Sequence, residues 1–252
     1  MKKKETAVVV KQEEIAARIY SMWISTSIAE SAKPGQFISV YTKNAGKLLP
    51  RPISICEINK EEKQLRIVYR IAGEGTEEFS DYHSGSRISV LGPLGNGFPL
   101  EDKKAFIIGG GIGVPPMLEL AKQLNCEKQI IAGYRNELFL TEELKKQGEL
   151  YIATEDGSAG VKGTVIDAIE ENHLTADIIY ACGPKPMLKA IKEYAKKKGI
   201  PAYISMEERM ACGVGACLGC VCQSKDKDDH SKVNNKRVCK DGPVFLAEEV
   251  SL

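Results

Sequence analysis

Five of the eight cysteines crowd into the C-terminal end of the chain: Cys212, Cys217, Cys220, Cys222 and Cys239. The run Cys212-Gly213-Val214-Gly215-Ala216-Cys217-Leu218-Gly219-Cys220 has the C-x4-C-x2-C spacing of plant-type 2Fe–2S sites, and Cys239 follows as a fourth thiol. Thiolates are soft ligands that suit iron–sulfur clusters and zinc alike. The glycines separate the two chemistries. Gly213, Gly215 and Gly219 let the loop wrap closely around a bulky cluster with its amides turned inward, where they can hydrogen-bond the sulfurs. Structural zinc sites more often carry paired C-x2-C knuckles, and the second pair is absent here. A 2Fe–2S cluster on Cys212, Cys217, Cys220 and Cys239 is therefore expected, with zinc as the alternative. Cys222 breaks the spacing and reads as a small packed thiol facing away from Cys220. The polar stretch 226–237 reads as a solvated hairpin tip, with His230 exposed rather than liganding.

A second chemistry is phosphate binding. Ala105-Phe106-Ile107-Ile108-Gly109-Gly110-Gly111-Ile112-Gly113-Val114-Pro115-Pro116 reads as a strand, a glycine-rich turn and a helix start. Such a turn lets a backbone approach a pyrophosphate, and the helix N-terminus adds partial positive charge. It departs from the Rossmann fingerprint, because prolines stand at the third glycine and the next strand ends in Tyr134-Arg135 without an acid. A tight helix–strand connection would look the same. Ala181-Cys182-Gly183-Pro184 ends a later strand, so both turns should face one crevice beyond the carboxyl ends of the sheet. Asp156-Gly157 follows another strand end. Nearer the N-terminus, Arg51-Pro52-Ile53-Ser54 puts a guanidinium suited to bidentate phosphate binding beside a rigid strand entry. Gly75-Thr76 opens a short helix whose amides could meet a pyrophosphate. Taken singly, Arg51 could as well be a salt-bridge partner and Gly75-Thr76 an ordinary helix cap.

These residues need a scaffold, and the hydrophobic rhythm supplies one in three parts. Up to about Pro99 the chain reads as six short strands, at 6–11, 17–25, 36–41, 53–58, 64–71 and 87–91. Several alternate apolar with polar residues, which implies a small antiparallel barrel. From 100 to 206 strands alternate with helices, the pattern of a parallel sheet covered on both faces. Thr141 reads as the N-cap of one of those helices. From 207 to 252 there is little periodicity, so something other than a hydrophobic core should hold that part. The fold expected is multi-domain β plus α/β: an antiparallel six-stranded barrel (1–99), a parallel-sheet nucleotide-binding domain (100–206) and a small cluster domain (207–252).

The chain has 252 residues, 43% hydrophobic and 27% charged, with a formal net charge of +1. No basic face with interleaved aromatics supports a nucleic-acid partner. No apolar run approaches the ~20 residues needed to cross a bilayer. No signal-like apolar core follows the basic N-terminus, so a cytoplasmic location with reduced thiols is expected.

Taken together and in this order, the motifs resemble the ferredoxin–NADP+ reductase superfamily: Arg51-Pro52-Ile53-Ser54, a glycine-rich turn, and Cys182-Gly183-Pro184-Lys185-Pro186-Met187. With Tyr69-Arg70-Ile71, Gly75-Thr76 and the four cysteines added, the whole chain looks like the electron-transfer subunits of class 1B dihydroorotate dehydrogenases. That resemblance implies FAD, NAD and a 2Fe–2S cluster as cofactors. It also implies a separate FMN-containing catalytic subunit, in a heterotetramer of two of each, that oxidises dihydroorotate to orotate in pyrimidine biosynthesis. Electrons would pass singly through the cluster to FAD and leave in pairs to NAD+. In agreement, no general base for the dihydroorotate chemistry stands out in this sequence.

By the same resemblance Arg51 lies on the FAD phosphates, with Pro52 and Ile53 beside it and Ser54 near the flavin ring. Tyr69, Arg70 and Ile71 lie along the cofactor, and Gly75 and Thr76 at its pyrophosphate. Gly110, Gly111 and Gly113 meet the nicotinamide dinucleotide, and Cys182 approaches the site of hydride transfer. Ser54 and Cys182 are thus the expected catalytic pair. Other readings are a subunit of an NAD(P)H–ferredoxin transhydrogenase or a hydrogenase gamma subunit, and a zinc-stapled protein without enzymatic activity. Arg135 could reach a 2′-phosphate, which leaves NADP open.

Overall fold

Alternating apolar residues give each N-terminal strand one face that must be buried. In the computed structural model, which describes residues 2–44, 46–227 and 232–252, they close into an antiparallel barrel. Its strands are β1 (Lys3–Ala16), β2 (Ile19–Ser25), β3 (Phe37–Tyr41), β4 (Arg51–Asn59), β5 (Gln64–Arg70) and β6 (Arg87–Leu94), in the order β1-β2-β5-β4-β3-β6. β1 runs further than its apolar stretch, because Gln12 and Glu14 pair with Met22 and Tyr20 of β2 and the ladder outweighs their polarity. On β5, Leu65, Ile67 and Tyr69 point into the barrel core with Met22, Ile24 and Val40. Val68, on its opposite face, belongs to the apolar cluster that also holds Val114 and Met117, which follow the first strand of the next sheet. A short helix, α1 (Glu74–Ser80), adds Phe79 to the barrel core.

The next part alternates as expected. Its elements are β7 (Ala105–Gly110), α2 (Pro115–Gln123), β8 (Lys128–Tyr134), α3 (Thr141–Lys145) and β9 (Glu149–Thr154), then β10 (Val161–Lys162), α4 (Val165–Glu171), β11 (Ile178–Cys182), α5 (Lys185–Lys198) and β12 (Ala202–Ser205). The strands pair in parallel in the order β10-β9-β8-β7-β11-β12. One face is covered by Met117, Leu118 and Leu144 of α2 and α3, the other by Ile169, Leu188 and Ile191 of α4 and α5. The cap expected at Thr141 is not formed. Leu140, at φ 60°, precedes the helix and Thr141 is its first residue. Thr164, by contrast, caps α4 through reciprocal bonds with Asp167.

The C-terminal part holds β13 (Val221–Gln223), β14 (Asn235–Arg237) and β15 (Val244–Leu246). β13 and β14 form a two-stranded ribbon. β15 joins the parallel sheet as its antiparallel edge, with Phe245 opposite Ile204. Three residues are too short to show a period, so no strand is legible there in sequence. Val238, Phe245, Ala247 and Val250 complete the core already built by α5 and β12, and this replaces the apolar core that the segment lacks on its own. Among the described residues no helix is long and apolar enough to cross a membrane. His230 lies outside the described residues.

Candidate functional site

Strands β4 and β5 of the barrel and the carboxyl ends of β7 and β11 border one cleft of about 750 Å3. The barrel contributes Arg51, Pro52, Ile53, Ser54, Tyr69, Arg70 and Thr76; the sheet contributes Gly110, Gly111, Gly113 and Cys182. Residues far apart in sequence thus converge as the two strand-end turns require. Two expected residues stand outside the lining. Ile71 gives its amide to the Arg18 carbonyl (2.9 Å), closing the barrel ladder. Gly75 sits behind Arg51, where a side-chain carbon would come within 2.1 Å of Nε. Its lack of a side chain makes room for the guanidinium.

Arg51 donates to the Leu49 carbonyl and, among the described residues, pairs with no carboxylate. A guanidinium in a cleft without an internal counter-ion suits an anionic group from outside. It lies against the start of α1, whose first amides have no acceptor inside the helix. The Thr76 hydroxyl is committed to that helix start. It donates to the Gly73 carbonyl (2.9 Å) and accepts from the amides of Ala72 (2.9 Å) and Gly73 (3.2 Å). The ring of Tyr69 is in the barrel core and its hydroxyl donates to Gln12 (3.0 Å), so this side chain shapes the cleft from behind.

The glycine-rich turn is shaped first by protein contacts. A side-chain carbon at Gly113 would lie 2.3 Å from the Cys182 carbonyl oxygen, and one at Gly110 would lie 2.4 Å from Met187 Sδ. Only Gly111 opens onto space free of protein atoms. The expected anion-binding helix end is also altered. Pro115 and Pro116 carry no N–H, and the amides of Val114 and Met117 already donate to the carbonyls of Gly111 (3.1 Å) and Val114 (3.0 Å). α2 therefore brings a rigid turn rather than a fork of free amides. Burial pushes the Cys182 thiol up to about 12, with the nearby Glu207 charge adding to it and a bond from Ser205 opposing it. Cys182 is a neutral thiol at physiological pH.

Cys212, Cys217, Cys220 and Cys239 lie close together in the C-terminal part. Cys212 and Cys217 Sγ are 3.3 Å apart. Cys239 Sγ lies against the Cys220 sulfur, and the Cys239 amide reaches that sulfur at 3.4 Å. The thiols thus form two pairs, and among the described residues no three His, Cys, Asp or Glu groups converge as ligands of a single ion. Two pairs suit two bridged irons better than one tetrahedral zinc. Gly213 and Gly215 take φ of 67° and 86°, which turns amides toward the sulfurs. Burial opposes ionisation of Cys212, but the amides of Cys217, Val214 and Ala216 and the Cys217 thiol outweigh it and bring Cys212 down to about 6. Burial and the contact with Cys220 push Cys239 up to about 12 against the Gly215 amide. Cys222 is buried, and its thiol donates to the Lys236 carbonyl (3.5 Å).

The two halves of the site adjoin. Residues 205–210 line the cleft, and the chain then enters the cysteine loop at Cys212. A side-chain carbon at Gly213 would be 3.1 Å from Ser39 Oγ, and Ser39 pairs with Pro52 across β3 and β4. Arg237 braces the loop by donating to the Gly215 carbonyl (3.2 Å). Sequence reasoning missed Phe37, Ser205, residues 206–210 and Pro243 of the lining. Phe37 is read only as a strand residue, and the linker after β12 carries no motif.

Residues 207–251 match the family described as the iron-sulfur cluster binding domain of dihydroorotate dehydrogenase B. Residues 107–193 match the oxidoreductase NAD-binding domain. A curated protein of Geobacillus sp. (strain WCH70), "Dihydroorotate dehydrogenase B (NAD(+)), electron transfer subunit", is 45% identical over 100% of both chains. The chain belongs to this family. Its member from Fusobacterium nucleatum subsp. nucleatum, under the same description, is 44% identical over 98% of each chain. Among solved structures, one of an NADH-dependent reduced ferredoxin-NADP oxidoreductase is similar at a TM-score of 0.88 and 30% identity. The match covers 97% of this chain and 89% of the other.

Proposed function

We infer that this chain is the electron-transfer subunit of an NAD-dependent dihydroorotate dehydrogenase, carrying FAD, a 2Fe–2S cluster and a site for NAD. The observation that carries the reading is the cysteine loop seated one strand away from Arg51-Pro52-Ile53-Ser54, at the mouth of a cleft shared with the nucleotide sheet. A flavin bound there couples single-electron exchange with an iron–sulfur centre to two-electron exchange with a nicotinamide. Such an arrangement lets a partner's substrate be oxidised without entering this chain.

The chain's own residues then have defined tasks. Residues 1–99 hold FAD, residues 100–206 the nicotinamide dinucleotide and residues 207–252 the cluster. Arg51 takes the FAD phosphates beside the start of α1, with Gly75 giving it room and Thr76 fixing that start. Pro52, Ile53, Tyr69, Arg70 and Ile71 form the wall along the flavin, and Ser54 offers a hydroxyl to its ring. Gly110, Gly111 and Gly113 shape the nicotinamide side, where neutral Cys182 contributes bulk and polarity without charge. Cys212 and Cys217 hold one iron and Cys220 and Cys239 the other, with the loop amides offsetting the negative charge.

The partner is an FMN-bearing catalytic subunit, in a heterotetramer of two of each, working in the cytoplasm for pyrimidine biosynthesis. Val214, Leu218 and Val221 stand exposed on or beside the cysteine loop, an apolar rim for that partner. The reading is tested anaerobically with the holoprotein and the catalytic subunit of a family member. Dihydroorotate-dependent reduction of NAD+ should need both proteins, while the isolated chain should oxidise NADH with a dye acceptor. Reduction of NAD+ by dihydroorotate with this chain alone would refute the division of labour.

A further inference from the structure

β4 carries the Arg51-Pro52-Ile53-Ser54 side of the cleft, and β3 pairs with it from Arg51 to Ser54. Further along, among the described residues, no strand covers that edge of β4, and α2 takes its place. A bare strand edge has amides to satisfy. The Ile58 amide donates to Glu119 of α2 (2.8 Å), whose carboxylate is buried. A bulge at Cys56 puts Glu57 opposite Arg66 of β5. Around them Cys56, Val68, Val114, Met117 and Leu118 share one apolar cluster.

Glu57 holds two cations. Its Oε2 accepts from Arg66 Nη1 (2.6 Å) and its Oε1 from Lys122 of α2 (2.5 Å). Arg66 also donates through Nε to Ser21 Oγ of β2 (2.8 Å), and its Nη2 lies 3.5 Å from Glu143 Oε1 of α3. The barrel thus presents a buried pair, Glu57 and Arg66, fixed within its own strands. α2 and α3 each bring one partner to it, Lys122 and Glu143, and both of these are 40% exposed.

Apolar contact has no preferred direction, so the cluster around Cys56 and Met117 would let α2 slide on the barrel at little cost. Buried ion pairs add little net stability over apolar packing, but they can fix one arrangement. The elements fixed here are those of the cleft. β4 and β5 carry Ser54, Tyr69 and Arg70, and α2 begins just after the Gly111–Gly113 turn. A misplacement of about 1 Å between reacting groups can cost about a hundredfold in rate.

We propose that Lys122 and Glu143 are positioning residues for hydride transfer: through Glu57 and Arg66 they lock the nucleotide sheet to the barrel and so set how the nicotinamide meets the flavin. Neither residue lines the cleft. The proposal rests on the flavin and nicotinamide reading of that cleft.

The test uses the anaerobic full chain loaded with FAD and cluster, in which NADH gives a hydride to the flavin and leaves as NAD+. Lys122→Met with Glu143→Gln cuts both charged links while the buried Glu57–Arg66 pair stays intact; Lys122→Met alone is the milder variant. The limiting rate of flavin reduction should fall about tenfold or more. FAD content, the unfolding midpoint and the NADH concentration at half-saturation should stay close to wild type. The long-wavelength absorbance that NADH shares with an oxidised flavin in contact, which precedes reduction, should weaken with the rate. Lys122→Arg, which keeps the charge, should retain both. Unchanged rate and absorbance in the cut variants would overturn the proposal. So would a rate that falls only together with FAD content or the unfolding midpoint, or an equal loss in Lys122→Arg. A wild-type holoprotein whose flavin NADH does not reduce would overturn the nicotinamide reading itself.

Discussion

Arg51 and Gly75 illustrate how single residues here make sense only as pairs. The guanidinium has no carboxylate partner among the described residues, and the helix start beside it leaves space only because residue 75 has no side chain. Replacing Arg51 by Gln should weaken FAD retention by ~10- to 100-fold, the worth of one charged hydrogen bond of about 1.5–3 kcal/mol. Flavin released on dilution or gel filtration measures it; full retention would mean the phosphates lie elsewhere. Gly113 is a structural counterpart. A methyl group there would press on the Cys182 carbonyl, so Gly113→Ala should cost about 1–3 kcal/mol of stability, read by denaturant unfolding. The cysteines and Arg51-Pro52-Ile53-Ser54 are legible in sequence because their chemistry depends on spacing along the chain. Ser205, Glu207 and Phe37 are not, since only the topology brings them to the cleft.

At the scale of elements, the barrel and the sheet are joined by a buried polar contact that no motif announces. Glu119 of α2 is nearly fully buried, accepts from the Ile58 amide of β4 (2.8 Å) and from Gln123 (2.6 Å), and sits near the Arg66–Glu57–Lys122 set. Burial holds the Glu119 carboxyl above its ordinary value, although both hydrogen bonds and Lys122 oppose the rise. The folded chain therefore keeps this proton after the unfolded chain has lost it. The stabilisation is complete below the unfolded-state value and is lost as pH rises through the folded-state one. Glu119→Gln should remove that decline, so the stability difference between variant and wild type should widen in its favour as pH climbs just above the ordinary carboxylate range. Unfolding midpoints across that window check it, and parallel curves would contradict it. The strand-rich and alternating regions were readable from period alone. β15 was not, because three residues hold no period and their place is set by the free edge of β12.

At the scale of the whole molecule, the cluster segment is an outgrowth of the nucleotide sheet with an apolar rim left bare. Leu218 is 54% exposed on the loop between Cys217 and Cys220. Leu218→Asp should weaken association with the catalytic subunit by at least about tenfold, since a charge would be buried against the partner. NADH-driven dye reduction by the isolated chain should be unaffected; titration of the two subunits by calorimetry supplies the measurement. The most direct test of the central claim is chemical and magnetic analysis of the anaerobically purified chain reduced by NADH. About two irons and two sulfides per FAD are expected, with a paramagnetic reduced cluster that Cys217→Ser abolishes while flavin reduction persists. Zinc without sulfide, or a flavin that NADH reduces while no cluster signal appears in the wild type, would contradict the account.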